Sequence, residues 1–257
     1  MNPFLNLKNK TRKQNKQIMN KKMEVEIWSD VMCPFCYIGK RKFEMALEKF
    51  QYIDQIKIDW KSYQLMPELK TQPNKSINTL LSEAKGISLE EAKEMNNYVA
   101  KIGEQIGLKY DIDHTIPANT FNAHRLIQFA KTENKGNEAE ERLFEAYFSK
   151  GKNIDDMPTL IQLGVEIGLD KIAVEQVLES EQFSEAVQID IYESQQLGVR
   201  GVPFFVFDRK TAISGAQEPQ TFLQTLEGTF EEWSKNNPKY GIDVIDGQSC
   251  TPDGNCD

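Results

Sequence analysis

The chain has 257 residues, of which 39% are apolar and 27% are charged, and its net charge is −8 at pH 7. This composition supports one large domain or two modest ones, and it excludes collagen, coiled-coil rods and wholesale disorder. The longest stretch without Asp, Glu, Lys or Arg is eleven residues. Because a membrane-spanning helix needs about 18 apolar residues, the sequence predicts no membrane span and no membrane partner.

Residues 1–22 contain seven basic residues and no acidic residue, and we expect them to form a disordered basic tail. Because the whole chain carries −8, residues 23–257 carry −15. An acidic body argues against nucleic acid as a partner. The tail has no apolar run of the length that a secretory signal requires, so we expect a cytoplasmic location.

The chain opens with a β-α-β pattern. Residues 24–28 alternate polar and apolar side chains, as do residues 56–60, and this period is typical of strands. Between them lies the motif Cys33-Pro34-Phe35-Cys36, followed by apolar residues at helical spacing: Phe43, Ala46, Leu47 and Phe50. The pattern places the two cysteines at a strand-to-helix turn.

Residues 73–197 show helical periodicity throughout. Ser88 and Glu91 form a capping-box pattern at the start of one helix. Gly107 and Gly168 each precede a leucine and are predicted to end helices. The apolar residues of 143–148 predict a further helix.

After residue 197 the spacing of the apolar residues changes from a helical to a strand-like pattern. Residues 203–207 form an apolar run typical of a buried strand, and residues 211–214 predict its partner across a turn. A last helix follows. The sequence therefore predicts an α/β layer made of residues 23–72 and 198–235, split by a helical insertion over residues 73–197. Residues 236–257 are expected to form a flexible C-terminal tail.

A Cys-x-x-Cys pair at the start of a helix has a direct chemical meaning. The sulfur of Cys33 would lie at the helix N-terminus, where the helix dipole favours a thiolate. Cys33 is thus the expected nucleophile, and Cys36, one turn further on, the resolving thiol. Pro34 suits the first helical turn because its missing N–H has no helical acceptor there. Of Lys40, Arg41 and Lys42, we expect at least two to form a solvated face, although they could stabilise the thiolate.

A second feature is Val202-Pro203 at the head of the apolar strand. Proline cannot donate to a strand ladder, so Pro203 is expected at a strand start. A cis peptide bond here would present the Val202 backbone beside the sulfurs, where it could pair with an extended substrate. Phe35 is expected to be exposed and to contact apolar substrate surface. Val202, Pro203 and Phe35 are therefore the candidate substrate-binding residues.

Four blocks, residues 29–39, 119–125, 143–148 and 198–204, carry a family resemblance. Their sequences and order resemble the DsbA family of the thioredoxin superfamily, and more narrowly its cytoplasmic FrnE-like branch, related to 2-hydroxychromene-2-carboxylate isomerases. The resemblance implies a thioredoxin-like α/β fold with a large all-helical insertion. It assigns the nucleophile to Cys33, the resolving thiol to Cys36 and the family's cis-proline to Pro203. The implied activity is thiol–disulfide exchange or isomerisation on protein substrates.

Cys250 and Cys256 enclose a turn-forming segment near the C-terminus. The FrnE-like branch has a second cysteine pair in this region, with slightly different spacing. Two interpretations stay open. The pair could exchange electrons with Cys33 and Cys36 as a second redox pair, or it could form an accessory disulfide or two exposed thiols.

Three alternatives concern the function itself. A glutathione-dependent isomerase of a small aromatic or polyketide substrate would need no second cysteine, and such enzymes usually have Ser at the position of Cys33. In such an enzyme Asn119 and Asn122 could orient the ligand; otherwise Asn119 is expected to cap a helix and His124 to be structural. The four cysteines could instead bind zinc, or the protein could be a non-enzymatic holdase. In both cases the activity would not depend on thiol exchange at Cys33.

The preferred interpretation needs no metal or organic cofactor, with glutathione as a candidate recycling reductant. The expected partners are protein thiols and disulfides or a small thiol substrate. A monomer and a homodimer are both compatible with the sequence.

Overall fold

A computed structural model describes residues 21–238. Its four strands form one sheet in the order β2-β1-β3-β4, with these bounds: β1 Met23–Ser29, β2 Ile56–Ser62, β3 Phe204–Phe207 and β4 Thr211–Ser214. Strand β1 is parallel to β2 and antiparallel to β3, and β4 is antiparallel to β3. The sheet therefore joins strands from both ends of the described chain, as the sequence predicted.

The described residues contain nine α-helices. Two belong to the α/β layer and seven lie between β2 and β3, with these bounds: α1 Pro34–Leu47, α2 Ile77–Lys85, α3 Leu89–Glu104, α4 Phe121–Thr132, α5 Gly136–Phe144, α6 Met157–Glu166, α7 Lys171–Glu179, α8 Ser184–Gln196 and α9 Pro219–Asn236. Short 3-10 turns occupy Ile53–Gln55 and Ile112–His114. The predicted division of the chain at residues 72/73 and 197/198 remains a prediction. Within residues 21–238, no helix has both the length and the apolar character that a membrane span requires.

The α/β layer has an aromatic core on one face of the sheet. Helices α1 and α9 pack against each other there. Phe43 of α1 lies 5.4 Å from Phe205 and 5.5 Å from Phe222, measured between ring centroids. Phe205 and Phe222 meet edge to face at 4.6 Å. Such aromatic pairs contribute beyond the area that they bury, so this cluster holds both helices against β3.

Strand β1 is buried more completely than its alternating sequence suggests. Glu26 is only 3% exposed. The alternation of polar and apolar residues along β1 would place this polar side chain on the solvent-facing side of the sheet. Helix α8 covers that face. Glu26 is paired there with Arg209 and with Lys61, which also bonds Asp190 of α8. Burial raises the pKa of Glu26, and the pairing with Arg209 and Lys61 opposes that rise.

The helical insertion is bonded directly to the sheet. The indole N–H of Trp28 in β1 donates to the carbonyl of Asp190 at 2.9 Å. The indole N–H of Trp60 in β2 donates to Asn137 Oδ1 at 3.2 Å. The apolar core runs without interruption from the sheet into helices α4, α5 and α7. The insertion and the α/β layer therefore share one core.

The predicted helix ends are confirmed. Ser88 and Glu91 form the capping box of α3. Gly107 and Gly168 adopt φ values of 82° and 81°, and in each case the following leucine N–H bonds back into the helix, as in a Schellman motif. The helix predicted over 143–148 is wrong in one respect: after Phe144 the chain widens into a π-turn over Glu145–Ser149.

Candidate active site

The two cysteines lie where the sequence placed them. Cys33 is the N-cap of α1, and Pro34 is the first helical residue. The backbone N–H of Cys36 bonds the carbonyl of Cys33 at 3.0 Å, which places Cys36 in the first turn. Both cysteines are free thiols. The helix N-terminus therefore faces the Cys33 sulfur, a position that favours an anion.

The tertiary structure brings Val202 and Pro203 next to the cysteine motif. The Cys33 thiol donates to the backbone carbonyl of Val202 at 3.5 Å, across 169 residues of sequence. The peptide bond between Val202 and Pro203 is cis. Cys33 is 5% exposed, whereas the neighbouring Phe35 is 41% exposed. Cys33, Val202 and Pro203 therefore lie together, and the exposed Phe35 follows Cys33 by two residues.

Cys36 differs from Cys33 in its surroundings. Its side chain is 1% exposed. Burial raises the pKa of the Cys36 thiol well above its usual value, and the Cys33 sulfur raises it further, while the Asp30 backbone and the Ser29 hydroxyl lower it. Cys36 is thus held as a protonated thiol, which is the state expected of a resolving cysteine before its partner sulfur has reacted.

The loop that leads to Cys33 is held by a carboxylate that the sequence did not single out. The Asp30 side chain is fully buried and accepts the backbone N–H of Leu65 at 2.7 Å. The Asp30 carbonyl accepts the backbone N–H of Cys33 at 2.9 Å. His124 of α4 faces the same carboxylate at 3.4 Å. The structural role expected for His124 is confirmed, since it ties the insertion to the active-site loop.

The basic residues after the motif are not a solvated face. Lys40 is 2% exposed and Lys42 is 8% exposed, which corrects that expectation. Lys40 binds Glu44 at 2.5 Å and Glu141 of α5 at 2.6 Å. Lys42 binds Glu218. The reason is that α5 and the segment leading into α9 lie beside this part of α1 and supply carboxylates to both ammonium groups.

Two tyrosines join the insertion to the motif, and the sequence assigned a role to neither. The hydroxyl of Tyr110 donates to the carbonyl of Pro34 at 2.9 Å, and the hydroxyl of Tyr37 donates to Glu141 at 2.8 Å. Their rings lie 6.0 Å apart. The signal for Tyr37 was its place beside Cys36, whereas Tyr110 lies in a loop whose position depends on tertiary packing.

The two asparagines weighed as ligand-binding residues have structural partners. The Asn119 amide donates to the carbonyls of Pro67 and Leu69, and Asn122 donates to Asp155. The capping role expected of Asn119 is displaced by one residue, since Thr120 is the N-cap of α4. Asn119 still accepts the N–H of Phe121 at 2.9 Å.

Several predictions lie outside the described residues. Cys250 and Cys256, the candidate second redox pair, are beyond residue 238, as is most of the predicted C-terminal tail. Residues 1–20 of the predicted N-terminal tail also lie outside.

A comparison with models of known protein families shows which family this chain belongs to. The family model of the DSBA-like thioredoxin domain matches residues 24–227, which include every strand and helix from β1 into α9. The chain belongs to the DsbA-like thioredoxin family. The predicted family and its fold, a thioredoxin-like sheet with a helical insertion, are thereby confirmed.

This DsbA-like protein is similar to several individual proteins over most of its length. A probable DsbA oxidoreductase from Streptomyces coelicolor matches with a TM-score of 0.76 and 33% identity, over 91% of this chain and 98% of its own. The uncharacterized protein YwbO of Bacillus subtilis is 25% identical over 206 residues, covering 79% of this chain and 96% of YwbO. A 2-hydroxychromene-2-carboxylate isomerase shares the fold, with a TM-score of 0.58 and 16% identity over 86% of this chain and 100% of its own.

Proposed function

We propose that this DsbA-like protein catalyses thiol–disulfide exchange on protein substrates, with Cys33 as nucleophile and Cys36 as resolving thiol. One observation carries the proposal: the Cys33 sulfur lies at the N-terminus of α1 and 3.5 Å from the Val202 carbonyl. The helix N-terminus favours the thiolate, which is the form that attacks a disulfide.

The exchange has two steps in the reductive direction. The Cys33 thiolate attacks one sulfur of a substrate disulfide, so that a mixed disulfide forms and the other substrate sulfur leaves as a thiolate. Cys36 then attacks Cys33 Sγ, which forms the Cys33–Cys36 disulfide and releases the second substrate sulfur. The substrate gains the two electrons that the protein loses. The reverse sequence oxidises a substrate dithiol.

The substrate is proposed to be a polypeptide in an extended conformation. The Val202 backbone lies beside the reacting sulfur and offers hydrogen-bonding groups to such a chain. The exposed ring of Phe35 adds apolar contact next to the cysteine. Glutathione is the proposed recycling reductant.

The reduction potential of the Cys33–Cys36 pair tests this function. It is measured on the full chain with Cys250→Ser and Cys256→Ser, so that only one pair titrates against glutathione. A reversible two-electron couple is expected. A potential of about −120 mV would identify an oxidant, and about −270 mV a reductase. A pair that cannot be reversibly oxidised would contradict the proposal.

Single cysteine variants separate exchange from glutathione-dependent isomerisation. In the same background, Cys36→Ser is expected to abolish turnover of protein disulfides and to accumulate a mixed disulfide on Cys33, because the resolving sulfur is missing. Cys33→Ser should form no adduct. Full activity of Cys36→Ser on a small aromatic substrate with glutathione would favour the isomerase instead. The measurement is mass spectrometry of the trapped species.

A further inference from the structure

One hydrogen bond from the helical insertion reaches the backbone between the two cysteines. The Tyr110 hydroxyl donates to the carbonyl of Pro34 at 2.9 Å, across 76 residues of sequence. This carbonyl belongs to the peptide that joins Pro34 to Phe35, which is the central peptide of the motif from Cys33 to Cys36. The insertion therefore contacts the motif at its midpoint.

The other backbone bonds of the motif start at the cysteines themselves. The N–H of Cys33 donates to the Asp30 carbonyl at 2.9 Å, and the N–H of Cys36 donates to the Cys33 carbonyl at 3.0 Å. Among residues 21–238, Tyr110 supplies the side chain that hydrogen bonds to the backbone lying between the cysteines. The conformation of that backbone therefore depends on Tyr110.

Tyr110 is itself held by contacts outside α1. Its ring centroid lies 5.1 Å from that of Phe148, and the N–H of the next residue, Asp111, donates to the Phe148 carbonyl at 2.6 Å. Gly103 of α3 leaves room for the ring, since a Cβ atom there would lie 3.0 Å from Tyr110 Cε2. The hydroxyl is therefore presented from a fixed position, and its hydrogen bond restrains the motif.

The proposed exchange ends with closure of the disulfide between Cys33 and Cys36. Cys36 loses its proton to water, and its sulfur attacks Cys33 Sγ. The new sulfur–sulfur bond forms as the bond from Cys33 to the substrate sulfur breaks, and the electron pair of that bond leaves on the substrate. Disulfides tolerate a narrow range of distances and dihedral angles, so closure is faster when the intervening backbone already holds both sulfurs in position.

We propose that Tyr110 is a positioning residue for this closure. Its hydroxyl fixes the Pro34 carbonyl and so keeps Cys33 and Cys36 in the arrangement from which their disulfide forms. Tyr110 exchanges no proton and acts only through the backbone. The proposal rests on the proposed exchange reaction and adds to it the way in which the insertion controls the second step.

The two steps can be followed separately with 5,5′-dithiobis(2-nitrobenzoate), whose disulfide replaces that of the substrate. In the reduced full chain carrying Cys250→Ser and Cys256→Ser, attack by Cys33 releases a first thionitrobenzoate, and closure by Cys36 releases a second. In Tyr110→Phe we expect the second release to slow by about threefold to tenfold, the effect of losing one hydrogen bond. The first release should change by less than about twofold, since it depends on the Cys33 thiolate and not on closure.

The reduction potential gives a second measurement that a merely structural role would not move. Without the Tyr110 hydroxyl, the reduced motif gains more freedom than the oxidised motif, because the latter is constrained by its own disulfide. The disulfide of Tyr110→Phe should therefore be less stable. Its potential against glutathione should rise by about 15–30 mV, which is the same factor converted at about 30 mV per tenfold change.

Tyr98→Phe is the matched control, because it removes the same oxygen from a tyrosine of α3 that is 66% exposed. Its two rates and its potential should equal those of the parent chain. Gly103→Ala keeps the Tyr110 hydroxyl but brings a methyl group against the ring. It should also slow the second release relative to the first.

A ratio of second to first release in Tyr110→Phe equal to that of the parent chain would overturn the proposal, as would a potential no higher than that of the parent. If Tyr110→Phe does not fold, Gly103→Ala decides by the same ratio. A parent chain that releases only one thionitrobenzoate would instead contradict the proposed exchange itself, so the two failures are distinguishable.

Discussion

At the scale of single residues, the site depends on a close approach between α1 and the strand that carries Pro203. Gly39 faces Pro203 across this contact. A Cβ atom at Gly39 would lie 2.8 Å from Pro203 Cγ and 3.5 Å from Phe205 Cζ. Because a proline ring cannot swing aside as a flexible chain can, the absence of a side chain at Gly39 keeps the Val202 carbonyl next to Cys33.

We therefore expect Gly39→Ala to lower the free energy of unfolding by about 1–3 kcal/mol. It should also slow exchange, since Val202 and Cys33 are pushed apart. Urea unfolding measures the first effect. The second is measured as the rate at which the reduced protein releases thionitrobenzoate from 5,5′-dithiobis(2-nitrobenzoate). Gly228→Ala is the control: this position in α9 has no atom within 4 Å of the added Cβ, so helix propensity alone should stabilise the protein by about 0.5–1 kcal/mol. Equal behaviour of the two variants would contradict the steric argument.

At the scale of elements, α1 and α5 are held together by Glu141. It binds the buried Lys40 at 2.6 Å and Arg41 at 2.7 Å, and it accepts the Tyr37 hydroxyl. The three partners all lie in the helix that begins at the cysteine motif. The contact thus fixes the active-site helix to the insertion.

Glu141→Gln should lower the free energy of unfolding at neutral pH by about 1–3 kcal/mol, because it removes charge-assisted hydrogen bonds from a buried ammonium. Burial alone would raise the pKa of Glu141, but Lys40, Tyr37 and Arg41 outweigh it and lower the pKa below 4.5. A carboxylate whose pKa is lower in the folded than in the unfolded state stabilises the fold at pH values above its unfolded-state pKa. That contribution is lost as the pH falls below 4.5 through the folded pKa.

The parent chain should therefore lose more stability than Glu141→Gln on acidification below pH 4.5. Thermal unfolding followed across this pH range measures the difference. Glu231→Gln is the control, because its pair with Lys235 lies on the exposed face of α9 and is screened by solvent. A Glu141→Gln curve parallel to that of the parent would contradict the argument.

At the scale of the whole molecule, the shared core predicts one unfolding transition. The three tryptophans lie in the α/β layer, at Trp28, Trp60 and Trp233, whereas seven of the nine described helices belong to the insertion. Tryptophan fluorescence and far-UV circular dichroism therefore report mainly different parts of the protein. Their urea transitions should coincide, as in a two-state system. Helical signal that persists after the fluorescence change would show that the insertion folds separately.

The limits of sequence-based prediction are clearest among the charged residues. Glu140 was overlooked because acidic side chains usually face solvent. Yet it stands three and four residues before Leu143 and Phe144, both fully buried, and so shares their helix face. That spacing was the available signal. Lys40 carried the same signal, because it stands three residues before the buried Phe43. Glu26 carried none, because its burial depends on helix α8, which packs from far along the chain.

The sequence by itself determined the four strands, the helical insertion between the second and the third of them, the place of Cys33 at a helix N-terminus and the family. These depend on local periodicity, on capping residues and on short motifs, all of which act within a few turns of chain. Only the tertiary structure decided that Val202 meets Cys33 across 169 residues, and that the Ser29 hydroxyl donates to Glu140 across 111 residues. The physical reason is that such contacts arise where separate elements pack together, and packing depends on the complementary shapes of whole faces.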